Sequence, residues 1–129
     1  MKVLFIEDDQ SIQDTMELVF KFTMSDVELL PALGGLDGID MVRNTRPDII
    51  ILDLGLPDIS GYEVLKNIRE NESIPIVILT ARSEPDTRDR CRELGADDFI
   101  TKPFRRSDIV NAINNLVVQN KEGSEKTAC

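Results

Sequence analysis

Histidine is absent from this 129-residue sequence, and cysteine occurs only twice, at Cys91 and Cys129. Histidine is the usual general base for a serine or cysteine nucleophile, so its absence excludes hydrolases of the Ser–His and Cys–His types. The two cysteines have no spacing that suggests a disulfide framework or a zinc site. Several common classes of enzyme and metal site are thereby excluded.

Positive charge is also scarce, because 24 acidic residues outnumber 15 basic ones and give a net charge of −9. Phosphate backbones attract basic surfaces, so this segment is not expected to bind DNA or RNA by itself, although a longer parent chain could carry an output domain that does. No apolar run is long enough to span a bilayer, and the opening residues 1–6 run directly into acids without the cleavage site of a signal peptide. We expect a cytoplasmic protein that does not bind membranes.

The length and composition fit one folded domain. The chain is 41% hydrophobic and 30% charged, which is typical of a globular protein with a single core. From Gln119 onward the sequence becomes polar. We therefore predict a domain over residues 1–120 and a polar tail, or the start of a linker, over residues 121–129.

Five short apolar runs along the chain each predict a β-strand. The predicted strands are Lys2–Ile6, Val27–Leu30, Ile49–Leu52, Ile74–Leu79 and Phe99–Ile100. Apolar residues at helical spacing follow four of them, and a polar helix is predicted over Glu84–Leu94, with Gly95 placed to end it. Strands joined by helical crossovers are mainly parallel, with helices on both faces of the sheet. We therefore predict an α/β fold of three layers, α/β/α.

Ligands of an open parallel sheet bind beyond the carboxyl ends of its strands. The residues at these ends include acids, a hydroxyl and an amine: Glu7, Asp8 and Asp9 at the first strand, Asp53 at the third, Thr80 at the fourth and Lys102 at the fifth. We expect these side chains to share one rim of the sheet, although they are far apart in the sequence.

Glu7, Asp8 and Asp53 would repel one another on this rim unless a cation lay among them. Magnesium binds oxygen ligands, typically one or two carboxylates with waters and phosphate oxygens, and would relieve the repulsion. The alternative is that Asp8 and Asp9 only cap the first helix, where acidic residues are favoured. Asp9 itself can be the cap while Glu7 and Asp8 face a metal.

Asp53 follows four branched aliphatic residues. A carboxylate in such a place is either an ordinary strand-ending acid or a nucleophile, as in aspartyl-phosphate formation. Taken alone, Thr80 is best explained as a hydroxyl that satisfies backbone groups, and Lys102 as a solvated surface charge. Opposite Asp53, Lys102 could instead hold a phosphoryl oxygen. The Lys102–Pro103 bond is a candidate cis peptide.

Five segments in this order and spacing resemble the receiver domain of bacterial response regulators, the phosphoacceptor domain of two-component signalling. The segments are Val3–Asp9, Asp48–Leu54, Leu56–Gly61, Pro75–Ala81 and Gly95–Phe104. The likeness extends to about the end of the last helix. It implies a flavodoxin-like, doubly wound sheet of five parallel strands in the order 2-1-3-4-5, with five helices.

The resemblance implies that Asp53 is the phosphoacceptor. Its donor would be a phosphohistidine on a sensor histidine kinase or on a histidine phosphotransfer protein. Asp8, Asp53 and the backbone carbonyl of Gly55 would coordinate Mg²⁺ or Mn²⁺ directly, and Glu7 would act through a metal-bound water. The domain would then be a signalling switch that catalyses only its own phosphorylation and dephosphorylation.

The resemblance also implies how the signal leaves the site. Thr80, the backbone of Ala81 and Lys102 would contact the phosphoryl oxygens, with Pro103 in a structural role. Phe99 would be the switch residue, whose ring moves inward as Thr80 turns toward the phosphate. The surface of the fourth helix, fifth strand and fifth helix would then change. It would control an output domain, a partner or a phosphorylation-dependent homodimer.

Several positions depart from the family pattern. Phe99 stands where many relatives have tyrosine, so no ring hydroxyl is present to lock the active state. Gly55 and Arg82 occupy two positions that influence how fast water removes the phosphoryl group, which leaves the lifetime of that group open. Ala112 and Asn115 stand where winged-helix relatives tend to place basic dimer-contact residues, which argues against a salt-bridged dimer.

Three other functions share parts of this pattern. A phosphatase of the haloacid-dehalogenase type would place an acid–base residue two positions after the nucleophile, where Gly55 cannot serve. A flavin binder would need a phosphate loop rich in Ser, Thr and Gly after the first strand, where the acidic run 7–9 would repel the phosphate. A non-phosphorylated interaction module would require the acids to be helix caps only, with Asp53 and Lys102 on one rim by coincidence.

Overall fold

Five strands and five helices alternate along the part of the chain that the structure describes. The structure is a computed structural model, which describes the backbone of residues 1–82 and 84–128 and the side chains of residues 1–82 and 84–117. Cys129 and the side chains of the predicted tail therefore lie outside the described residues. The elements are β1 (Lys2–Ile6), α1 (Gln10–Thr23), β2 (Glu28–Ala32), α2 (Gly35–Thr45), β3 (Ile49–Leu52), α3 (Gly61–Asn71), β4 (Ile76–Thr80), α4 (Pro85–Glu93), β5 (Asp98–Thr101) and α5 (Arg106–Ala128).

The strand pairings of the described sheet are all parallel, and the strand order is β2-β1-β3-β4-β5. The predicted three-layer α/β fold and the flavodoxin-like order are thus confirmed. Apart from exposed Lys2, the residues of β1, β3 and β4 are buried, which explains their unbroken apolar runs. Val3 and Phe5 pack in the core under α1 and α5, whereas Leu4 and Ile6 pack in the core under α2, α3 and α4.

β2 and β4 both begin and end later than predicted. β2 includes Pro31, which has no backbone N–H. The proline is tolerated because β2 is an edge strand and pairs with a neighbour on one side only. β4 begins at Ile76, immediately after Pro75, rather than two residues earlier. It also includes Thr80, so this hydroxyl lies at the last position of the strand instead of beyond it.

The predicted ends of the helices agree with the structure at two places. Asp9 is the N-cap of α1, and its Oδ1 accepts a hydrogen bond of 2.9 Å from the N–H of Ser11. Gly95 follows α4 with a φ of 105°, in the left-handed region that favours glycine. α5 continues past residue 120, the predicted end of the domain, and that domain boundary stays a prediction. Within the described residues, none of these helices has both the length and the hydropathy that a membrane span requires.

The N-terminus of α2 depends on a residue from another loop. Its N-cap, Gly34, has no side chain that could accept a hydrogen bond, and Asp58 from the β3–α3 loop takes over that function. The two carboxylate oxygens of Asp58 accept bonds of 2.9 Å from the N–H groups of Gly35 and Leu36. These bonds hold the pKa of Asp58 below its usual value. They also tie down the loop that follows Asp53.

Replacing Asp58 with alanine should lower the free energy of unfolding by about 1 kcal/mol, because two N–H groups in the first turn of α2 lose their acceptor. Equilibrium urea unfolding at neutral pH measures this change. The matched control is Asp40→Ala, which removes an exposed carboxylate from the same helix and should destabilise less. Equal effects of the two substitutions would show that the cap does not stabilise α2.

Candidate functional site

The carboxyl ends of the strands bring together three acids that the sequence analysis selected. Glu7 and Asp8 follow β1, and Asp53 follows β3. One carboxylate oxygen from each of these residues lies within 4.8 Å of the other two. Glu7 and Asp53 are buried, with exposures of 1% and 6%, and Asp8 is exposed. Three acids therefore crowd together although two of them have little contact with water.

Lys102 adds a positive charge to these acids. It follows β5, and its Nζ forms an ion pair with Oε1 of Glu7 and lies 3.4 Å from Oδ2 of Asp53. Its backbone N–H donates to the carbonyl of Thr80 at 2.8 Å, which fixes the end of β5 against the end of β4. The structure thus places Lys102 beside Asp53. It also gives Lys102 a second partner, Glu7, which the sequence does not predict.

Burial is the main reason why the pKa of Glu7 rises from 4.5 to about 7. The nearby carboxylate of Asp53 raises this pKa further, and the hydrogen bond from Lys102 lowers it without cancelling the rise. Burial alone would lower the pKa of Lys102, but its contacts with Glu7 and Asp53 favour the ammonium form and raise the pKa overall. Glu7 therefore retains a proton more easily than an exposed glutamate does.

Gly55 places no side chain beside the Asp53 carboxylate. Gly55 is exposed, and its N–H donates to Oδ1 of Asp53 at 3.3 Å. A Cβ atom added to Gly55 would lie 3.9 and 4.0 Å from the two carboxylate oxygens of Asp53, at ordinary contact distance. A long side chain at this position would therefore extend over the carboxylate. The role of the Gly55 carbonyl as a metal ligand stays a prediction.

The remaining candidate residues lie at different depths. Thr80 is buried, and its Oγ1 accepts a hydrogen bond of 3.3 Å from the N–H of Arg82. Ala81 and Pro103 are exposed in the loops after β4 and β5, and the Lys102–Pro103 bond, a candidate cis peptide from the sequence, is cis. Phe99 is half-buried on β5. It lies opposite Ile78 of β4, two residues before Thr80. Thr80 and Phe99 are thus on neighbouring strands, with Phe99 further from the rim.

Gln13 supports the site, although the sequence analysis did not select it. It lies on the buried side of α1 with 3% exposure, and its Nε2 donates to the carbonyls of Phe5, Glu7 and Ala32 at 2.9, 3.1 and 3.3 Å. These bonds join the end of β1, the start of the acidic loop and the end of β2. The only signal in the sequence was an amide within a largely apolar helix face, because a buried amide needs partners.

The acidic cluster has the chemistry of a site for a divalent cation. Its donors are carboxylate oxygens, which hard cations such as Mg²⁺ prefer. Asp8 is exposed and keeps one side of the cluster in contact with solvent, so the waters that Mg²⁺ usually retains can be accommodated. The arrangement can therefore hold a cation beside Asp53, with the ammonium of Lys102 on another side.

Comparison with known protein families identifies one that covers most of the chain. The sequence model of the response regulator receiver domain matches residues 3–114. The cell cycle response regulator CtrA of Brucella ovis is 39% identical over 122 residues, which cover 94% of this chain and 52% of that protein. CtrA of Brucella abortus gives the same values. The chain thus spans about half the length of the curated relatives it matches.

Solved structures with this fold include receiver domains. The receiver domain of the Francisella response regulator 1452 superposes with a TM-score of 0.85 at 26% identity and covers 92% of this chain and 98% of its own. The receiver domain of the sensor histidine kinase PA1611 from Pseudomonas aeruginosa superposes with a TM-score of 0.81 at 25% identity, covering 90% and 96%. That structure has a magnesium ion coordinated in its active site cleft. The likeness therefore extends over nearly the whole chain.

The raised pKa of Glu7 predicts a pH dependence of stability in the absence of divalent cations. The pKa of Glu7 is about 7 in the folded protein, compared with its ordinary value of 4.5. The folded protein therefore binds this proton more strongly than the unfolded chain does. The resulting stabilisation is complete below about pH 4.5 and is lost as the pH rises through about 7. The total loss should be roughly 3 kcal/mol, because each unit of pKa shift corresponds to about 1.4 kcal/mol. Glu7→Gln has no titrating group at this position and should not show this loss.

Urea unfolding in a chelating buffer at about pH 5 and about pH 8 measures the effect. Wild type and Glu7→Gln are compared at each pH, so that the contributions of other titrating groups cancel. Wild type should lose stability relative to Glu7→Gln at the higher pH. The same difference between the two proteins at both pH values would contradict the raised pKa.

Proposed function

Because the chain belongs to the response regulator receiver domain family, we propose that it is a phosphorylation-activated switch with Asp53 as its phosphoacceptor. The phosphoryl donor is a phosphohistidine on a sensor histidine kinase or on a histidine phosphotransfer protein. One observation carries this proposal: the carboxylate of Asp53 lies both beside Lys102 and within the acidic cluster. A phosphoryl group added there would be close to an ammonium and to a site suited to a divalent cation.

The proposed cofactor is Mg²⁺, or Mn²⁺ in its place. Asp8, Asp53 and the backbone carbonyl of Gly55 bind it directly, and Glu7 acts through a water. The close approach of three carboxylates, within 4.8 Å, supports this set of ligands because it is repulsive without a cation. The cation supplies the charge that lets an anionic nucleophile approach an anionic donor. The magnesium ion in the active site cleft of the Pseudomonas receiver domain supports Mg²⁺ as the cofactor.

The side chains of the protein account for the transfer itself. An oxygen of Asp53 forms a bond to phosphorus as the bond between phosphorus and the donor's imidazole nitrogen breaks, and that electron pair stays on the nitrogen. The ammonium of Lys102, 3.4 Å from Asp53, contacts a phosphoryl oxygen. The hydroxyl of Thr80 and the backbone N–H of Ala81 contact another. Pro103 shapes the loop that carries Lys102.

The signal leaves the site through β4 and β5. Phosphorylation adds nearly two negative charges, and Thr80 moves toward them. The ring of Phe99 on the adjacent strand then moves inward, and the surface formed by α4, β5 and α5 changes. This surface controls an output domain or a partner, and the curated relatives are about twice as long as this chain. A homodimer that forms on phosphorylation is a second candidate output.

The proposed receiver domain covers residues 1–120. Its last buried side chain among the described residues is Leu116, in α5. Residues 121–129 are then a polar tail or the start of a linker to an output domain. A cytoplasmic location belongs to the same proposal.

The rival functions fit the site less well. A haloacid-dehalogenase-like phosphatase needs an acid–base side chain two residues after the nucleophile, and Gly55 has none. A simple interaction module needs the acids after β1 only as helix caps. Asp9 has that function, but Glu7 pairs with Lys102 and clusters with Asp53. The arrangement therefore favours a phosphoacceptor.

Asp53→Asn should abolish covalent labelling by a small phosphodonor, because the substitution removes the nucleophilic oxygen but keeps the shape of the side chain. Labelling of wild type should require Mg²⁺ and stop when the ion is chelated. The matched control is Asp48→Asn, the same substitution at the other end of β3, which should label normally. Acid-quenched incorporation of radioactive phosphate measures all three proteins.

Persistent labelling of Asp53→Asn would refute Asp53 as the phosphoacceptor. Labelling of wild type that is independent of Mg²⁺ would refute the proposed cofactor. Release of many equivalents of phosphate from a phosphomonoester would favour the phosphatase instead.

Gly55→Met should lengthen the lifetime of the phosphoryl group on Asp53 severalfold, because the longer side chain would extend over the carboxylate and restrict the approach of water. Gly55→Ala is the matched control, since its Cβ reaches only ordinary contact distance from Asp53 and should leave the lifetime nearly unchanged. Decay of labelled protein after removal of the donor measures the lifetime. A lifetime of Gly55→Met no longer than that of Gly55→Ala would contradict this account of Gly55.

A further inference from the structure

α4 is held to the domain by few buried side chains. Its buried residues are Thr87 and Cys91, whereas α3 buries four residues, including Val64, Leu65 and Ile68. The sequence of α4 is instead rich in arginine. A helix with little apolar burial is among the parts of a protein that shift most easily. The position of α4 therefore depends more than that of α3 on contacts at the surface.

One such contact joins α4 to Phe99 on β5. The guanidinium carbon of Arg88 lies over the ring of Phe99, 5.0 Å from its centroid. Arg88 is exposed and Phe99 is half-buried, so the cation covers the outer part of a ring that otherwise packs against the core. Among the described residues, the side chain of Arg88 has no ion pair and no hydrogen bond. Within the part of the chain that the structure describes, the ring of Phe99 is therefore the one directed partner of the Arg88 side chain.

Phe99 is not closely packed where it faces α4. A cavity of about 120 Å³ lies between α4 and β5, and its lining includes Arg88, Cys91 and Phe99. Close packing therefore does not fix the ring on this side. The attraction between the guanidinium and the ring face is what favours its position near α4.

We infer that Arg88 is a positioning residue of the switch, which holds the ring of Phe99 toward α4 and opposes its inward movement. The inference rests on the proposed function, in which phosphorylation draws this ring inward. When the ring of Phe99 moves inward, its contact with the Arg88 guanidinium is lost. A ligand at Asp53 that favours the inward position of the ring must therefore overcome this contact, which lowers the affinity for the ligand. A cation–π contact at an exposed site corresponds to a bias of about two- to fivefold.

Arg88→Gln should therefore strengthen the binding of beryllofluoride, a mimic of the phosphoryl group on Asp53, by about two- to fivefold in the presence of Mg²⁺. Removal of a positive charge would by itself weaken the binding of an anion, so an increase cannot be a simple charge effect. Arg90→Gln is the matched control. It removes the same charge from α4, but the Arg90 guanidinium lies 4.0 Å from the ring of Tyr62 instead of Phe99.

Two further measurements separate a specific contact from a general disturbance of α4. In a Phe99→Leu background, Arg88→Gln should no longer change the affinity, because the aromatic partner is gone. In protein with ¹³C-labelled phenylalanine, the ring signal of Phe99, assigned by its loss in Phe99→Leu, should shift in Arg88→Gln before any ligand is added. It should shift less in Arg88→Lys, which keeps a cation able to reach the ring.

Equal affinities of Arg88→Gln and Arg90→Gln would overturn the inference and leave the proposed function intact. The same holds for an undiminished effect of Arg88→Gln in the Phe99→Leu background. Failure of wild type to bind beryllofluoride with Mg²⁺ would overturn the proposed function and the inference with it.

Discussion

The contact of Lys102 with two buried carboxylates is the interaction on which the rest of the site depends. Its ammonium pairs with Glu7 and lies 3.4 Å from Asp53, and Asp8 brings a third acid into the cluster. Charges removed from water destabilise a protein unless they are paired. One ammonium does not balance three carboxylates, and burial of Glu7, together with the nearby carboxylate of Asp53, raises the pKa of Glu7. A divalent cation would supply the missing charge, and the proposed phosphoacceptor role of Asp53 depends on such a cation.

The parallel sheet holds these charges together, because each of its strands ends on the same rim. The backbone N–H of Asp53 donates to the carbonyl of Ile6 at 3.0 Å, which sets the end of β3 beside the end of β1. Gln13 and Asp58 then fix the loops on either side of this contact. The rim is thus tied together by hydrogen bonds, whereas α4 is held by few buried side chains and by the stack of Arg88 on the ring of Phe99. In the proposed function, phosphorylation at this rim would therefore shift the more loosely held α4.

The parts of the structure that local sequence determines could be predicted, and those that depend on distant pairs could not. β1 and β3 were predicted to the residue, because strands buried on both faces are unbroken apolar runs. The bounds of β2 and β4 were not predicted: β2 continues through Pro31, which an edge strand tolerates, and β4 begins only after Pro75. The pairing of Lys102 with Glu7, 95 residues apart, and the capping of α2 by Asp58, are set by register and loop packing. No spacing rule reports such contacts.

The central claim is that Asp53 forms an acyl phosphate in a magnesium-dependent reaction. Borohydride reduces an acyl phosphate of aspartate to homoserine and so marks the modified residue permanently. The decisive measurement is peptide mapping by mass spectrometry after treatment with a phosphodonor and borohydride, with and without Mg²⁺. The account predicts homoserine at position 53 alone, and only when Mg²⁺ is present. Homoserine at another aspartate, or at position 53 regardless of Mg²⁺, would contradict it.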